Sequence, residues 1–269
     1  MRIRRDRLKA KLDTLYERYN RKSYIDPDPL LFLYDYPDLK DRELAGFVAA
    51  CLAYGRVELI MKTVGGVLET LGPEPSETIM TATGPDLYQM FDGFVYRFAK
   101  ASHLVGLIAG MRGIVERYGS LFACFNKGYQ VSSNVFEGLS CLHREILKAG
   151  DVGHLVADPQ KNSACKRSHL YLRWMVRQDD VDPGGWTGVS SADLVYPIDT
   201  HMYRIGRMLG FTRRKSADRQ FAMEITRGFR RITPQDPVRY DFALTRFGIR
   251  RQFDADDLKR YIKDTHNDI

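Results

Sequence analysis

Apolar residues in the first twenty positions recur at three-to-five spacing: Ile3, Leu8, Leu12, Leu15 and Tyr19 form one stripe between basic flanks. That period predicts a helix, and Asp26-Pro27-Asp28-Pro29 stops it. A second, strongly apolar helix is predicted over 40–54, where Ala45, Gly46, Ala49, Ala50 and Ala53 permit close helix packing. Gly55 suits its left-handed end. Helix 57–71 ends at Gly72-Pro73, and 75–82 and 85–91 read as short helices opened by Pro75-Ser76 and Pro85-Asp86. Segments 99–118 and 134–147 read as further helices.

The second half keeps this character. Helix 163–177 places Leu170, Tyr171, Trp174 and Met175 on one face, and 178–189 is a turn region with three glycines and a proline. Thr200 to Leu209 is predicted helical, with Met202, Ile205, Met208 and Leu209 inward and Gly210 at the end. A helix over 216–231 follows. Asp236-Pro237 reads as a cap and first-turn proline opening a helix that ends at Gly248. Alternating strand patterns are nearly missing, so the expected fold is all-α, in two helical lobes around one cleft.

Composition narrows the class. The 269 residues are 44% hydrophobic and 28% charged, which fits a globular chain. No run approaches the roughly 18 apolar residues of a membrane span, and MRIRRDRLKAKLD lacks the apolar run of a secretory signal. Cys51, Cys124, Cys141 and Cys165 lie far apart without a CxxC, which fits a reducing cytoplasm and argues against a clustered metal site. The six histidines show no metal spacing, so neither a metal nor another cofactor is expected. The net charge of +7 is uneven: residues 1–22 hold nine basic and three acidic side chains, and 204–231 hold nine and two, whereas 252–269 is slightly acidic. Such blocks suit a polyanion surface, and they equally suit a solvated cationic face.

Val195-Tyr196-Pro197-Ile198-Asp199-Thr200-His201-Met202-Tyr203-Arg204 is the segment richest in chemistry. An aspartate enters a helix after an apolar, proline-containing approach. Asp199 or Thr200 also serves as an ordinary helix cap. Ile198 to Arg204 nevertheless resembles the signature of helix-hairpin-helix base-excision DNA glycosylases, in which that aspartate is catalytic. Asp41–Arg56 resembles an early core helix of that superfamily, with Ala53-Tyr54-Gly55-Arg56 where many members approach DNA. Phe94-Val95-Tyr96-Arg97-Phe98-Ala99-Lys100 resembles the approach to a later core helix. The likeness covers the layout of roughly residues 30–210, and the Asp-Thr-His segment is its specific part. The whole chain also resembles a bacterial family of unknown function near that superfamily, on Lys166-Arg167…Leu172-Arg173-Trp174-Met175.

Two departures shape the expectation. The usual hairpin is degenerate, with only Pro183-Gly184-Gly185 and Gly188-Val189 to represent it, and no lysine lies between Lys166 and Asp199. In the archaeal 8-oxoguanine glycosylase branch the lysine sits upstream, on the helix before a divergent hairpin. Lys166, 33 residues before Asp199, occupies a similar position, and Lys161 is the nearby alternative. The resemblance thus implies one glycosylase-like helical unit over 1–269. It would comprise a basic helix and linker (1–29), a first lobe (mainly 30–155) and a lobe bearing the hairpin and catalytic residues (156–269).

Cleaving an N-glycosidic bond builds positive charge on the deoxyribose, and a carboxylate beside the sugar stabilises it. A neutral lysine amine can attack the sugar carbon and permit strand cleavage; burial or a nearby cation makes that amine available. Asp199 and Lys166 are the residues this implies, although Lys166 also suits a solvent-facing first turn or a phosphate contact. A flipped base would stack on Trp186, with Trp174 better suited to core; Tyr54 and His201 are weaker substrate contacts. Gly184, Gly185, Gly188, Arg56, Lys161, Arg167 and Arg204 are the expected DNA contacts. The implied protein is a cytoplasmic monomer acting on damaged double-stranded DNA, with an oxidised purine as one candidate lesion; a non-catalytic nucleic-acid binder on the same scaffold is the other reading.

Overall fold

The structure, a computed structural model, describes residues 2–249 and 255–263. It is mostly helical. In chain order the helices are α1 (Arg2–Tyr19), α2 (Leu39–Leu52), α3 (Val57–Leu71), α4 (Pro75–Thr81) and α5 (Gly84–Met90), then α6 (Ala101–Tyr118), α7 (Leu121–Tyr129) and α8 (Val135–Ile146). They continue with α9 (Lys166–Val176), α10 (Thr200–Met208), α11 (Arg219–Arg230), α12 (Asp241–Ile249) and α13 (Ala255–Lys263). Strands β1 (Val95–Tyr96) and β2 (Ala99–Lys100) pair antiparallel, Val95 opposite Lys100 and Tyr96 opposite Ala99.

On the stripe of α1, Leu12, Leu15 and Tyr19 enter the core and Leu8 packs half-buried against it, while the side chain of Ile3 lies outside the described residues. The basic helix packs on the body, against α12, and Tyr240 Oη donates to Asp13 (2.6 Å). One continuous core joins Leu12 of α1 to Leu244 of α12.

Three boundaries and one whole helix differ from the sequence pattern, each for a local reason. Helix α6 starts at Ala101 because Ala99 and Lys100 are taken by the hairpin. Helix α7 escaped the pattern although its cap is visible: Ser120 Oγ accepts from Ala123 N (3.0 Å), and Leu121, Cys124 and Phe125 are buried. Helix α9 begins at Lys166 because Cys165 is left-handed (φ +45°) and Ser163 bridges to Asp218. Asp236 does not open a helix. Its carboxylate accepts from Arg177 Nε (3.0 Å), residues 237–240 form turns, and α12 starts at Asp241.

Buried carboxylates from α2 fasten its neighbours. Asp41 Oδ1 accepts from Ser76 N at the start of α4 (2.8 Å). Glu43 accepts from Leu121 N (2.8 Å) and Phe122 N (2.7 Å) of α7 and from Trp186 Nε1 (2.8 Å). Burial pushes the Glu43 carboxyl up to about 7, although these three donors favour its anion.

Helices α7 and α8 meet at a glycine. A Cβ at Gly128 would lie 2.4 Å from the Glu137 carbonyl oxygen and 2.8 Å from its carbon. Both obstacles are backbone, so the helices must part. Gly128→Ala is therefore expected to destabilise the fold by about 1–3 kcal/mol, read as a lower midpoint in urea denaturation; an unchanged midpoint would contradict this packing.

Candidate active site

A cleft of about 700 Å³ opens where the loop after α2, the β-hairpin and the first turns of α9 and α10 converge. Its size falls within the roughly 300–1,000 Å³ range of small-molecule pockets.

The loop supplies Ala53, Tyr54, Gly55 and Arg56. Gly55 has φ +104°, and a Cβ there would meet Arg97 Nη1 at 3.0 Å and Tyr96 Oη at 3.2 Å, so the hairpin lies directly on the loop. Tyr54 Oη donates to the Tyr96 carbonyl (3.0 Å), and Tyr96 Oη donates back to the Tyr54 carbonyl. The hairpin turns through Arg97 (φ +54°), and Phe98 beside it is 73% exposed at the cleft rim.

Lys166 and Arg167 open α9 and both line the cleft. Lys166 is half-buried, and its Nζ donates to the Ala53 carbonyl (3.1 Å). Burial holds its amine below the usual lysine range; Asp199, Asp28 and Asp241 oppose that drop, and Arg167 adds to it. Arg167 Nη1 donates to the Cys51 carbonyl (2.7 Å), Nη2 to the His154 carbonyl, and its guanidinium lies 5.0 Å from the Tyr54 ring. Burial, then the charge of Arg167, pulls the His154 imidazole below its ordinary value. Of the three non-glycine residues with positive φ among those described, Arg97 lines this cleft and Cys165 immediately precedes Lys166. Such backbone strain concentrates at functional sites.

Asp199 is the N-cap of α10 and accepts from Met202 N (2.7 Å) through Oδ1. It lines the cleft with Pro197, Thr200 and His201. The capping role and the cleft position coexist in one side chain. Deeper in, Asp28, Arg173, Asp241 and Thr245 complete the wall. The charged members are held in buried ion pairs, Arg173 and Asp241 within a larger network and Asp28 in a separate pair. Arg173 Nε donates to Asp182 (3.1 Å) and its Nη1 to Asp241; Arg177 binds Asp182, Asp179 (2.8 Å) and Asp236; and Arg246 Nη2 donates to Asp28 (2.6 Å).

The cleft thus gathers Lys166, Asp199, Tyr54, His201, Arg56 and Arg167 from the expected residues. The remainder lie elsewhere. Trp174 is fully buried, and Trp186 is 3% exposed, ringed by Phe122, Phe125 and Tyr171 with its indole N–H held by Glu43. Neither is placed to stack on an inserted base: the glycine turn folds inward and carries Trp186 with it. Gly184 N donates to the Trp174 carbonyl (3.0 Å) and Trp186 N to the Met175 carbonyl (2.8 Å), so the turn closes the end of α9. Gly184, Gly185 and Gly188 stand outside the cleft lining, as do the exposed Lys161 and Arg204. Arg97, Phe98, His154, Arg173 and Asp241 were missed. The basic-aromatic pair 97–98 carried a readable signal in its hairpin segment, whereas Asp241 carried none.

Among the described residues no three His, Cys, Asp or Glu side chains converge as a metal site, and no helix is long and apolar enough to cross a membrane. No curated protein and no solved structure matches the chain. One family does, over residues 28–250. The chain belongs to that family, described as protein of unknown function (DUF2400).

Proposed function

We propose that this protein is a DNA base-excision glycosylase with abasic-site lyase activity, acting as a cytoplasmic monomer on damaged double-stranded DNA. The observation that carries this reading is that Lys166 and Asp199, 33 residues apart in sequence, line one cleft. In this reading the two ends of the chain's helical body form the lobes of a helix-hairpin-helix glycosylase with a divergent hairpin at 183–189. An oxidised purine is the favoured lesion, by the likeness of Lys166's position to the archaeal branch.

The chemistry is the one the glycosylase resemblance implies, and the cleft residues suit it. Asp199 faces the sugar of an extruded nucleotide and stabilises the positive charge that grows as the glycosidic bond breaks. The neutral Lys166 amine attacks the anomeric carbon, the base departs with the bonding electrons and takes up a proton, the nitrogen loses a proton as the C1′–O4′ bond opens to give a Schiff base, and β-elimination then expels the 3′ phosphate. The Ala53 carbonyl aims that amine. Arg56 and Arg97 at the rim suit phosphate contacts, and the exposed Phe98 suits the gap left in the stack.

Borohydride trapping on duplexes carrying a panel of lesions tests this. The wild type is expected to form a covalent adduct, Lys166→Ala to abolish it, and Lys161→Ala to retain it. Adduct formation rises with pH because the neutral amine is the reactive form, and burial places that rise below the ordinary lysine value of 10.5. A persisting adduct in Lys166→Ala eliminates that lysine. Salt-dependent duplex binding with no base release from any lesion supports the non-catalytic reading, which the placement of the glycine turn outside the cleft favours.

A further inference from the structure

Away from the cleft, two cysteines 17 residues apart in sequence meet between α7 and α8. Gly128 is the reason. Its bare backbone lets α7 lie against the Glu137 carbonyl of α8, where a Cβ would collide. Cys124 stands four residues before Gly128, and Cys141 four residues after Glu137. Residues four apart share a helix face, so an antiparallel pair that touches at 128 and 137 touches again at 124 and 141. There Cys124 Sγ donates to Cys141 Sγ across 3.7 Å. Both thiols are free and buried. The two sulfurs differ in their surroundings. Arg144 Nη2 also donates to Cys141 Sγ (3.5 Å), and the arginine side chain is 64% exposed, so a cation links that sulfur to the surface. Cys124 is 0% exposed. Burial, then the neighbouring Cys141 sulfur, pushes its thiol up, so it keeps its proton.

We propose that Cys141 and Cys124 form a reversible dithiol–disulfide site, in which a hydroperoxide oxidises Cys141 and Cys124 closes the bond. The Cys141 thiolate, with the Arg144 guanidinium beside it, attacks a peroxide oxygen. An S–O bond forms as the O–O bond breaks. The sulfur gives up two electrons, and the hydroxide or alkoxide that leaves takes up a proton. The Cys124 thiol then attacks the sulfenic sulfur. The S–S bond forms, the S–O bond breaks, and the departing hydroxyl leaves as water with the Cys124 proton. One peroxide is reduced for each pair of thiols oxidised. The bond fastens α8 to α7, the helix whose first turn Glu43 holds. In a reducing compartment such a link is transient, which suits a peroxide-responsive site and not a permanent cross-link. Among the described residues no sulfur contact joins Cys51 or Cys165 to another cysteine, so those two stay thiols. The site is independent of what the cleft binds.

The test treats the whole folded protein with hydrogen peroxide, blocks the remaining thiols and maps linked peptides by mass spectrometry. Thiols counted after unfolding are expected to fall from the four of the sequence to two, with the link joining Cys124 to Cys141. Dithiothreitol is expected to restore all four. In Cys124→Ser, Cys141 is expected to stop at the sulfenic acid, which dimedone captures; in Cys141→Ser, Cys124 is expected to remain a thiol. Four free thiols after treatment overturn the proposal. So does a link that includes Cys51 or Cys165, a sulfinic acid at Cys141 without any link, or a link that forms only once circular dichroism shows helix loss. A dimedone adduct on Cys124 in a folded Cys141→Ser overturns the order of the two steps. Should the serine variants not fold, the wild-type map decides.

Discussion

Under the proposed glycosylase mechanism, Asp199→Asn is expected to lower base release about a hundredfold to a thousandfold while leaving the fold intact. The reason lies in the double duty of this side chain. Its Oδ1 caps α10 by accepting from Met202 N at 2.7 Å, and asparagine caps helices as well as aspartate does. The substitution therefore keeps the helix start and removes only the negative charge facing the cleft. Loss of one preorganised group that stabilises transition-state charge costs about 2.7–4 kcal/mol in other enzymes, which sets the expected range. Single-turnover release from a lesion duplex measures it, and a matching thermal melt confirms that stability is unmoved. Undiminished turnover would end the carboxylate mechanism, whichever lysine forms the adduct.

Arg177→Met is expected to cost the fold about 3–5 kcal/mol, the usual penalty for removing one partner of a buried ion pair. Arg177 is 4% exposed and spends all three nitrogens on carboxylates: Asp236, Asp182 and Asp179. Asp182 is 0% exposed and would keep only Arg173 as its cation. Asp179 also accepts from Tyr16 Oη of α1 (2.8 Å), so the loss reaches the first helix. Methionine fills similar volume, which confines the effect to the charge. The cost should shrink in an Asp182→Asn background, because less anion is then stranded. Urea denaturation of the four chains of this cycle measures both values; equal costs in the two backgrounds would mean that Asp182 does not depend on Arg177.

What could be read from the sequence divides along physical lines. Lys166 and Asp199 were legible because each sits in a local pattern, a basic first turn and a capped helix start beside a proline. The long helices were legible because their burial follows a regular period. The hairpin at 95–100 was not, since two-residue strands leave no alternation to detect. Trp186 was misplaced because glycines around it suggested an open turn. What decides its position is Glu43, 143 residues away in sequence. Asp241 could not be found at all: its place in the cleft wall depends on its pairing with Arg173 and on segments that no spacing connects.

The carboxylate of Glu43 has one more consequence. It lies in α2, yet it grips the start of α7 and an indole that comes from residue 186. A chain severed between 155 and 156 would leave that anion interred beside an empty ring site, with two of its three donors. The two halves are accordingly not interchangeable modules. They share a keystone, and a recombinant that shuffles the halves between relatives can keep its interior only where position 43 and position 186 travel together.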